Sequence, residues 1–246
     1  ANDIRGGGQF SGRLTAPLCF AGALAMQLLE KEGVRIRARI AQIENVSDAP
    51  MDFARPDLDA ISCGDLAVID SAAGERMREA ILAAKAEGDS VGGIIECAVT
   101  GFPAGVGGPM FDGIEGELAK ALFGIPAVKG VEFGMGFGLA YLAGSEANDQ
   151  WVNEDGVIRT KSNMSGGING GITNGMPVIF RCVVRPTPSI ALKQKTVSLK
   201  SGENAELEIH GRHDPCIVPR AVPVVEAMAA ITVLDHYLLY KAGRTL

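Results

Sequence analysis

Apolar residues recur at two spacings along this chain. Between Pro17 and Glu30, residues Leu18, Ala21, Ala25, Leu28 and Leu29 fall on one stripe of a 3.6-residue helix. Pro17 suits its first turn, where no backbone N–H is needed. From Val34 to Ile43 the spacing tightens to two. Val34, Ile36, Ala38 and Ile40 alternate with Arg35, Arg37 and Arg39, which predicts a strand with one wet side. Helical spacing returns over Glu75 to Glu87 and again over Asp112 to Ile125, where Ile114, Leu118, Ala121, Leu122 and Ile125 share a stripe. Strands are expected at Val91 to Thr100, Gly130 to Ala143, Pro177 to Val184 and Ala205 to His210. The segment from Gly144 to Gly175 reads as loop, with Gly-Gly pairs at Gly166-Gly167 and Gly170-Gly171. A long helix from Ala221 to Lys241 closes the pattern. Strand pairs with short connections favour antiparallel neighbours. The expected class is therefore α+β, helices packed against antiparallel sheets, in one domain spanning residues 1–246.

Composition narrows the function. The 246 residues are 47% apolar, enough for a large core without disulfides or metal. A formal charge of −6 provides no diffuse basic field, so nucleic acid and anionic membrane are poor partners, and any anionic ligand needs arginines gathered locally. Five cysteines with no Cys-x-x-Cys pattern read as reduced thiols of a cytoplasmic protein. No apolar run of membrane-crossing length and no signal-peptide pattern is evident. The chain opens inside a glycine-rich stretch without a Met, which raises the expectation of a segment upstream.

Three segments carry candidate chemistry. Arg5-Gly6-Gly7-Gly8-Gln9-Phe10-Ser11-Gly12-Arg13-Leu14-Thr15 precedes a helix. It reads as an anion cradle of free N–H groups and guanidinium, or as a plain glycine-rich turn. Gly211-Arg212-His213-Asp214-Pro215-Cys216 could hold an anion and move a proton; a polar turn with a local Arg–Asp pair is the alternative. Arg185-Pro186-Thr187-Pro188-Ser189 follows an apolar strand, and its two prolines fix an extended path that can present hydroxyl and backbone groups to a ligand; a plain strand-exit turn explains it equally well. The glycines at Gly105 to Gly108 and Gly134 to Gly138 lack the strand–turn–helix context of a dinucleotide site. His210 and His236 stand alone, with no second metal ligand at a suitable spacing.

Together these pieces resemble the chorismate synthase family. The likeness rests on Gly8-x-x-Ser11-Gly12-Arg13-x-Thr15 and on Arg212-His213-Asp214-Pro215-Cys216 followed by Ala221 to Met228. Between them lie, in family order, Gly88 to Gly92, Ala127 to Glu132 and Gly166 to Ile172. The resemblance implies a β-α-β sandwich and conversion of 5-enolpyruvylshikimate 3-phosphate to chorismate, a 1,4-anti elimination of phosphate requiring reduced FMN. It implies flavin contacts at Gln9, Phe10, Ser11, Pro126, Ala127, Gly170, Arg185, Pro186, Thr187, Pro188, Ser189 and Arg212. Arg13 and Arg212 resemble substrate-side arginines, and Asp214 resembles the acid that assists removal of the C6 proton. Gln9, Pro126 and Arg185 replace the commoner Arg, Asn and Lys, and Cys19 stands where Val or Thr is usual. A homotetramer is implied, with the flavin reduced either by NADPH on the same enzyme or by an external reductant. The family's Gly-Glu-Ser-His-Gly and Arg-Pro-Gly-His segments do not occur in this sequence. The expectation is therefore a chain truncated at its N-terminus and inactive alone, or a non-catalytic scaffold fragment.

Overall fold

The computed structural model describes residues 8–209, 211 and 213–244. Helices are α1 (Thr15–Lys31), α2 (Ser71–Ala86), α3 (Ile114–Phe123), α4 (Gly144–Ala147) and α5 (Val218–Arg244). Strands are β1 (Arg35–Ile43), β2 (Val46–Ser47), β3 (Gly93–Thr100), β4 (Val128–Phe133), β5 (Trp151–Glu154), β6 (Val157–Thr160), β7 (Ile168–Asn169), β8 (Ile172–Thr173), β9 (Val178–Val184), β10 (Gln194–Val197) and β11 (Asn204–Leu207). A five-stranded sheet in the order β2-β1-β3-β9-β4, every pair antiparallel, forms the frame. With the helices packed on it and three two-stranded antiparallel sheets beside it, the architecture is α+β.

Period-two patterning puts Ile36, Ala38, Ile40, Ile95, Cys97, Phe180 and Cys182 into one core with residues of α1, α3 and α5. Helices α1 and α5 run parallel. Gly22 lies against Ala227, and ten residues further along α1 Glu32 accepts hydrogen bonds from Tyr237 and Lys241. A Cβ on Gly22 would sit 2.3 Å from Ala227 Cβ, so this crossing requires glycine.

The second face of the sheet corrects the expectation of a wet side. Register aligns Arg39, Glu96, Arg181 and Glu132 across β1, β3, β9 and β4, a row of alternating charge. Arg39 is only 3% exposed. Its guanidinium bonds Glu96 at 2.7 and 2.8 Å, Asp48 at 2.6 Å and the Ala49 carbonyl at 2.8 Å. The segment after β2 folds over this face. Only Arg35, paired with the exposed Asp59, is a surface charge.

Other boundaries moved for local reasons. Helix α2 starts at Ser71 because Asp70 caps it, accepting the Ala72 N–H at 2.9 Å. Strand β4 stops at Phe133 instead of running on to Ala143. Gly134 turns left-handed (φ 54°) so closely against the Met164 carbonyl that a side chain there would collide, and a 3-10 turn, Gly136–Tyr141, follows. The segment read as loop contains α4 and two hairpins, β5–β6 and β7–β8. The first turns at Asp155-Gly156, both left-handed, a sequence signal for a tight hairpin. Of the strand expected over Ala205 to His210, β11 covers Asn204–Leu207, and His210 lies outside the described residues.

Two helices, 12–31 and 218–243, also reach the length and mean hydropathy of a membrane crossing, against the expectation of no such run. Leu and Ala raise the average in the first, and Val, Ala, Ile and Leu in the second. In α5, Val225, Ala229, Ala230 and Val233 are fully buried in the core described above.

Candidate functional site

Four strand ends meet in one row of the sheet. Ile43 closes β1 opposite Gly93, which opens β3; Gly93 faces Val184, which closes β9; Val184 faces Val128, which opens β4. Helix α1 leads into the start of β1, so its N-terminus points back to this same row, and the parallel α5 points its own N-terminus there too. Two helix N-termini bring partial positive charge to this row, although their first N–H groups are engaged within the chain: Thr15 on Gly12 and Arg13, Val218 on Cys216, Arg220 and Ala221 on Ile217.

The turn after β9 is built into this row. Arg185 N–H donates to the Ala127 carbonyl at 3.0 Å, and Ser90 Oγ donates to the Thr187 carbonyl at 2.7 Å. Val91 N–H donates to the Pro215 carbonyl at 2.8 Å, which ties the turn containing Asp214 to the same strand start. Thr187 Oγ1 is buried with no hydrogen-bond partner among the described residues. Buried hydroxyls are nearly always satisfied, so an orphan in a turn marks a place for an added polar group. Ala127 adopts a left-handed backbone (φ 74°), which for a residue with a Cβ costs about 1–3 kcal/mol and concentrates at ligand-holding segments.

Asp214 Oδ2 accepts from Arg220 at 2.8 Å, and a ring nitrogen of His213 lies 2.9 Å from the Ile209 carbonyl. Burial pushes the neighbouring Cys216 thiol above its usual range, partly offset by the Val218 N–H. Ser11 Oγ accepts the Arg13 N–H at 3.2 Å at the start of a 3-10 turn, leaving the Arg13 side chain exposed, as is Gln9. Phe10 contributes backbone to a preceding 3-10 turn, Gly8–Phe10. Arg212, and Arg5 to Gly7 of the glycine stretch, lie outside the described residues.

The structure does not gather every expected contact. Gly170 lies in the β7–β8 turn, whose Gly171 packs on Gly113 at the start of α3. Pro126 and Ala127 follow the other end of that helix, which is ten residues long. At 1.5 Å per residue, roughly 15 Å separates the two positions. Conversely, Ser90 holds the Thr187 backbone although spacing alone gave it no role; its only sequence signal was its place in the Gly88 to Gly92 stretch.

A cleft of about 780 Å³ opens beside the turn, lined by Arg185, Pro186, Ser90, Lys129, Glu44 and Glu87 among others. A separate, more apolar groove of about 490 Å³ runs along α1 and α5, with Leu24, Leu28, Leu234 and the buried His236 on its walls. None of the expected contact residues lines that groove.

The family model for chorismate synthase matches residues 1–238. The chain belongs to the chorismate synthase family. Chorismate synthases of Korarchaeum cryptofilum and Pyrococcus abyssi are 50% and 49% identical to it, over 98% of this chain and 67% and 66% of their own lengths. That of a Dehalococcoides mccartyi strain is 50% identical over 98% of this chain and 66% of its own. A crystal structure of a chorismate synthase superposes with a TM-score of 0.78 at 29% identity, covering 94% of this chain and 65% of that one. The chain thus spans about two thirds of the length of these chorismate synthases.

Proposed function

We propose that this chain forms the flavin-holding part of a chorismate synthase that eliminates phosphate from 5-enolpyruvylshikimate 3-phosphate with reduced FMN bound. The observation that carries the reading is the orphaned Thr187 hydroxyl. It sits in a turn fastened by Ala127 and Ser90, at the row where two helix N-termini also point. A flavin has ring carbonyls and ribityl hydroxyls to satisfy such a group, so the residues present suit FMN. The bound reduced flavin supplies transient electron density to the breaking C–O bond.

The remaining chemistry belongs to the protein. In a 1,4-anti elimination the C6–H and C3–O bonds break on opposite faces, a new double bond forms, and a proton and phosphate leave with no net redox change. Arg13 is exposed at the cradle and, with Arg212, is assigned to the anionic groups of the substrate, where a guanidinium forks onto phosphate or carboxylate. Asp214 is assigned to the proton. Arg220 engages one of its oxygens, Oδ2, and among the described residues no hydrogen bond takes up Oδ1. Arg220 thereby orients the carboxylate that accepts.

The histidine segments typical of the family are not among these 246 residues, so turnover is assigned to a polypeptide that also carries them. The same reading makes the enzyme a cytoplasmic homotetramer. Anaerobic chorismate formation, with photoreduced against oxidised FMN, tests it. Product only with reduced flavin is expected; product without flavin, or none in a polypeptide carrying the histidine segments, would overturn it.

A further inference from the structure

Ser90 and Val91 are chain neighbours, about 3.8 Å apart between Cα atoms, yet each holds a different turn of the candidate site. Ser90 Oγ donates to the Thr187 carbonyl at 2.7 Å, and the Val91 N–H donates to the Pro215 carbonyl at 2.8 Å. The flanking residues close on the first turn as well. Gly88 accepts the Ala191 N–H at 2.9 Å, just beyond the turn. Gly92 lies so close under its entry that a Cβ there would stand 2.5 Å from the Val184 carbonyl oxygen and 2.9 Å from Pro186 Cδ. Asp89 accepts the Ser90 N–H at 2.7 Å, and its own N–H donates to the Ala84 carbonyl at 2.9 Å, which ties the segment back to α2.

Neither turn lies in a helix or a strand, so single bonds of this kind decide where each one sits. We infer that Ser90 is a positioning residue: through Val91 it fixes the Asp214 turn against the Arg185 to Ser189 turn, so that the two open and close as one unit. On the reading of Asp214 as the proton acceptor, this spacing sets how near the carboxylate comes to the substrate carbon. A base works within about 2.6–3.2 Å, and a misplacement of about 1 Å is enough to slow the step.

Hydrogen exchange of the ligand-free chain, taken as protection factors for wild type, Ser90→Ala and Ser90→Thr, tests the linkage. In Ser90→Ala the Arg185 and Ala191 amides should lose about 3- to 10-fold of their protection, the scale of one neutral hydrogen bond. The Val91 amide, whose acceptor lies in the other turn, should lose as much. Amides in the doubly paired part of β3, Ile95 to Val99, keep wild-type protection, and Ser90→Thr, which retains the hydroxyl, stays near wild type. Loss confined to Arg185 and Ala191 would make Ser90 a pin for one turn and overturn the linkage. Equal loss across β3 would reduce the effect to general destabilisation, and a Thr variant as poorly protected as the Ala variant would trace it to packing; either result overturns the role of the hydroxyl. In a polypeptide carrying the family's histidine segments, Ser90→Ala should lower the single-turnover rate at saturating substrate and reduced FMN by about the same 3- to 10-fold, and add nothing to Asp214→Asn. Losses that multiply would show Ser90 acting independently of Asp214 and overturn the inference. A rate untouched by Asp214→Asn would remove the proton assignment instead, and the exchange data would still decide whether the two turns move together.

Discussion

Replacing Arg39 by Met should be among the most destabilising single changes in the molecule. Arg39 bridges two carboxylates that have no other guanidinium partner among the described residues: Asp48, whose side chain is fully buried, and Glu96, which is 3% exposed. Asp48 would keep the N–H groups of Ile69 and Asp70, at 2.8 and 2.9 Å, but Glu96 would lose both of its contacts to Arg39. Removing one partner of a buried ion pair costs about 3–5 kcal/mol. A domain's whole stability is about 5–15 kcal/mol. With a urea slope of about 3 kcal/mol/M for a chain of this size, the midpoint should fall by roughly 1–1.7 M. Arg35→Met is the control, four residues away on the same strand face. Its partner Asp59 is 77% exposed, so the loss should stay under about 1 kcal/mol. Arg39→Lys should fall between the two, because an ammonium cannot fork onto both acids. Equilibrium urea unfolding followed by far-UV circular dichroism measures all three. An Arg39→Met variant within about 1 kcal/mol of wild type would refute the claim that this row is a sealed electrostatic joint.

Gly22→Val should cost about 1–3 kcal/mol in the same assay by overpacking the α1–α5 crossing, and unchanged stability would show that the helices can slide apart. Glu226 accepts the Ala38 N–H at 2.8 Å at the outer edge of β1, and burial raises its pKa despite that bond and the nearby Arg37. A folded-state pKa above the unfolded value means the native protein binds the extra proton, so this group's contribution is full below the unfolded pKa and is lost as pH rises through the folded one. Glu226→Gln should therefore abolish that acid-side slope in stability against pH, whereas Glu226→Ala, which orphans the N–H, should lose about 1–3 kcal/mol throughout; an unaltered slope in the Gln variant would count against the assignment. Asp214→Asn in a polypeptide carrying the family's histidine segments should slow single-turnover chorismate formation at saturating substrate and reduced FMN while sparing binding; a normal rate with weaker binding would make Asp214 structural.

Periodicity located the main helices and the central strands because each buries one regular face. It misread Arg39 because the charges that seal it lie 9 and 57 residues away, and no local pattern announces a second covered face. The β5–β6 hairpin was legible at Asp155-Gly156 but was absorbed into a polar stretch. Strand β10 pairs only with β11 and is mostly exposed, so it left no burial pattern to read. At the site, the Thr187 and Asp214 segments were legible as motifs. Their common anchor on Ser90 and Val91 needed the fold, because it joins positions about a hundred residues apart.

Hydrogen exchange with and without FMN tests the placement of the flavin most directly. Added FMN should slow exchange in the Arg185 to Ser189 turn, at Ala127 to Lys129, at Ser90 and Val91 and around Asp214, with the β5–β6 hairpin and the groove along α1 and α5 unchanged. Protection confined to that groove, or to the Gly170 turn roughly 15 Å away at the other end of α3, would contradict a flavin site at the row of strand ends.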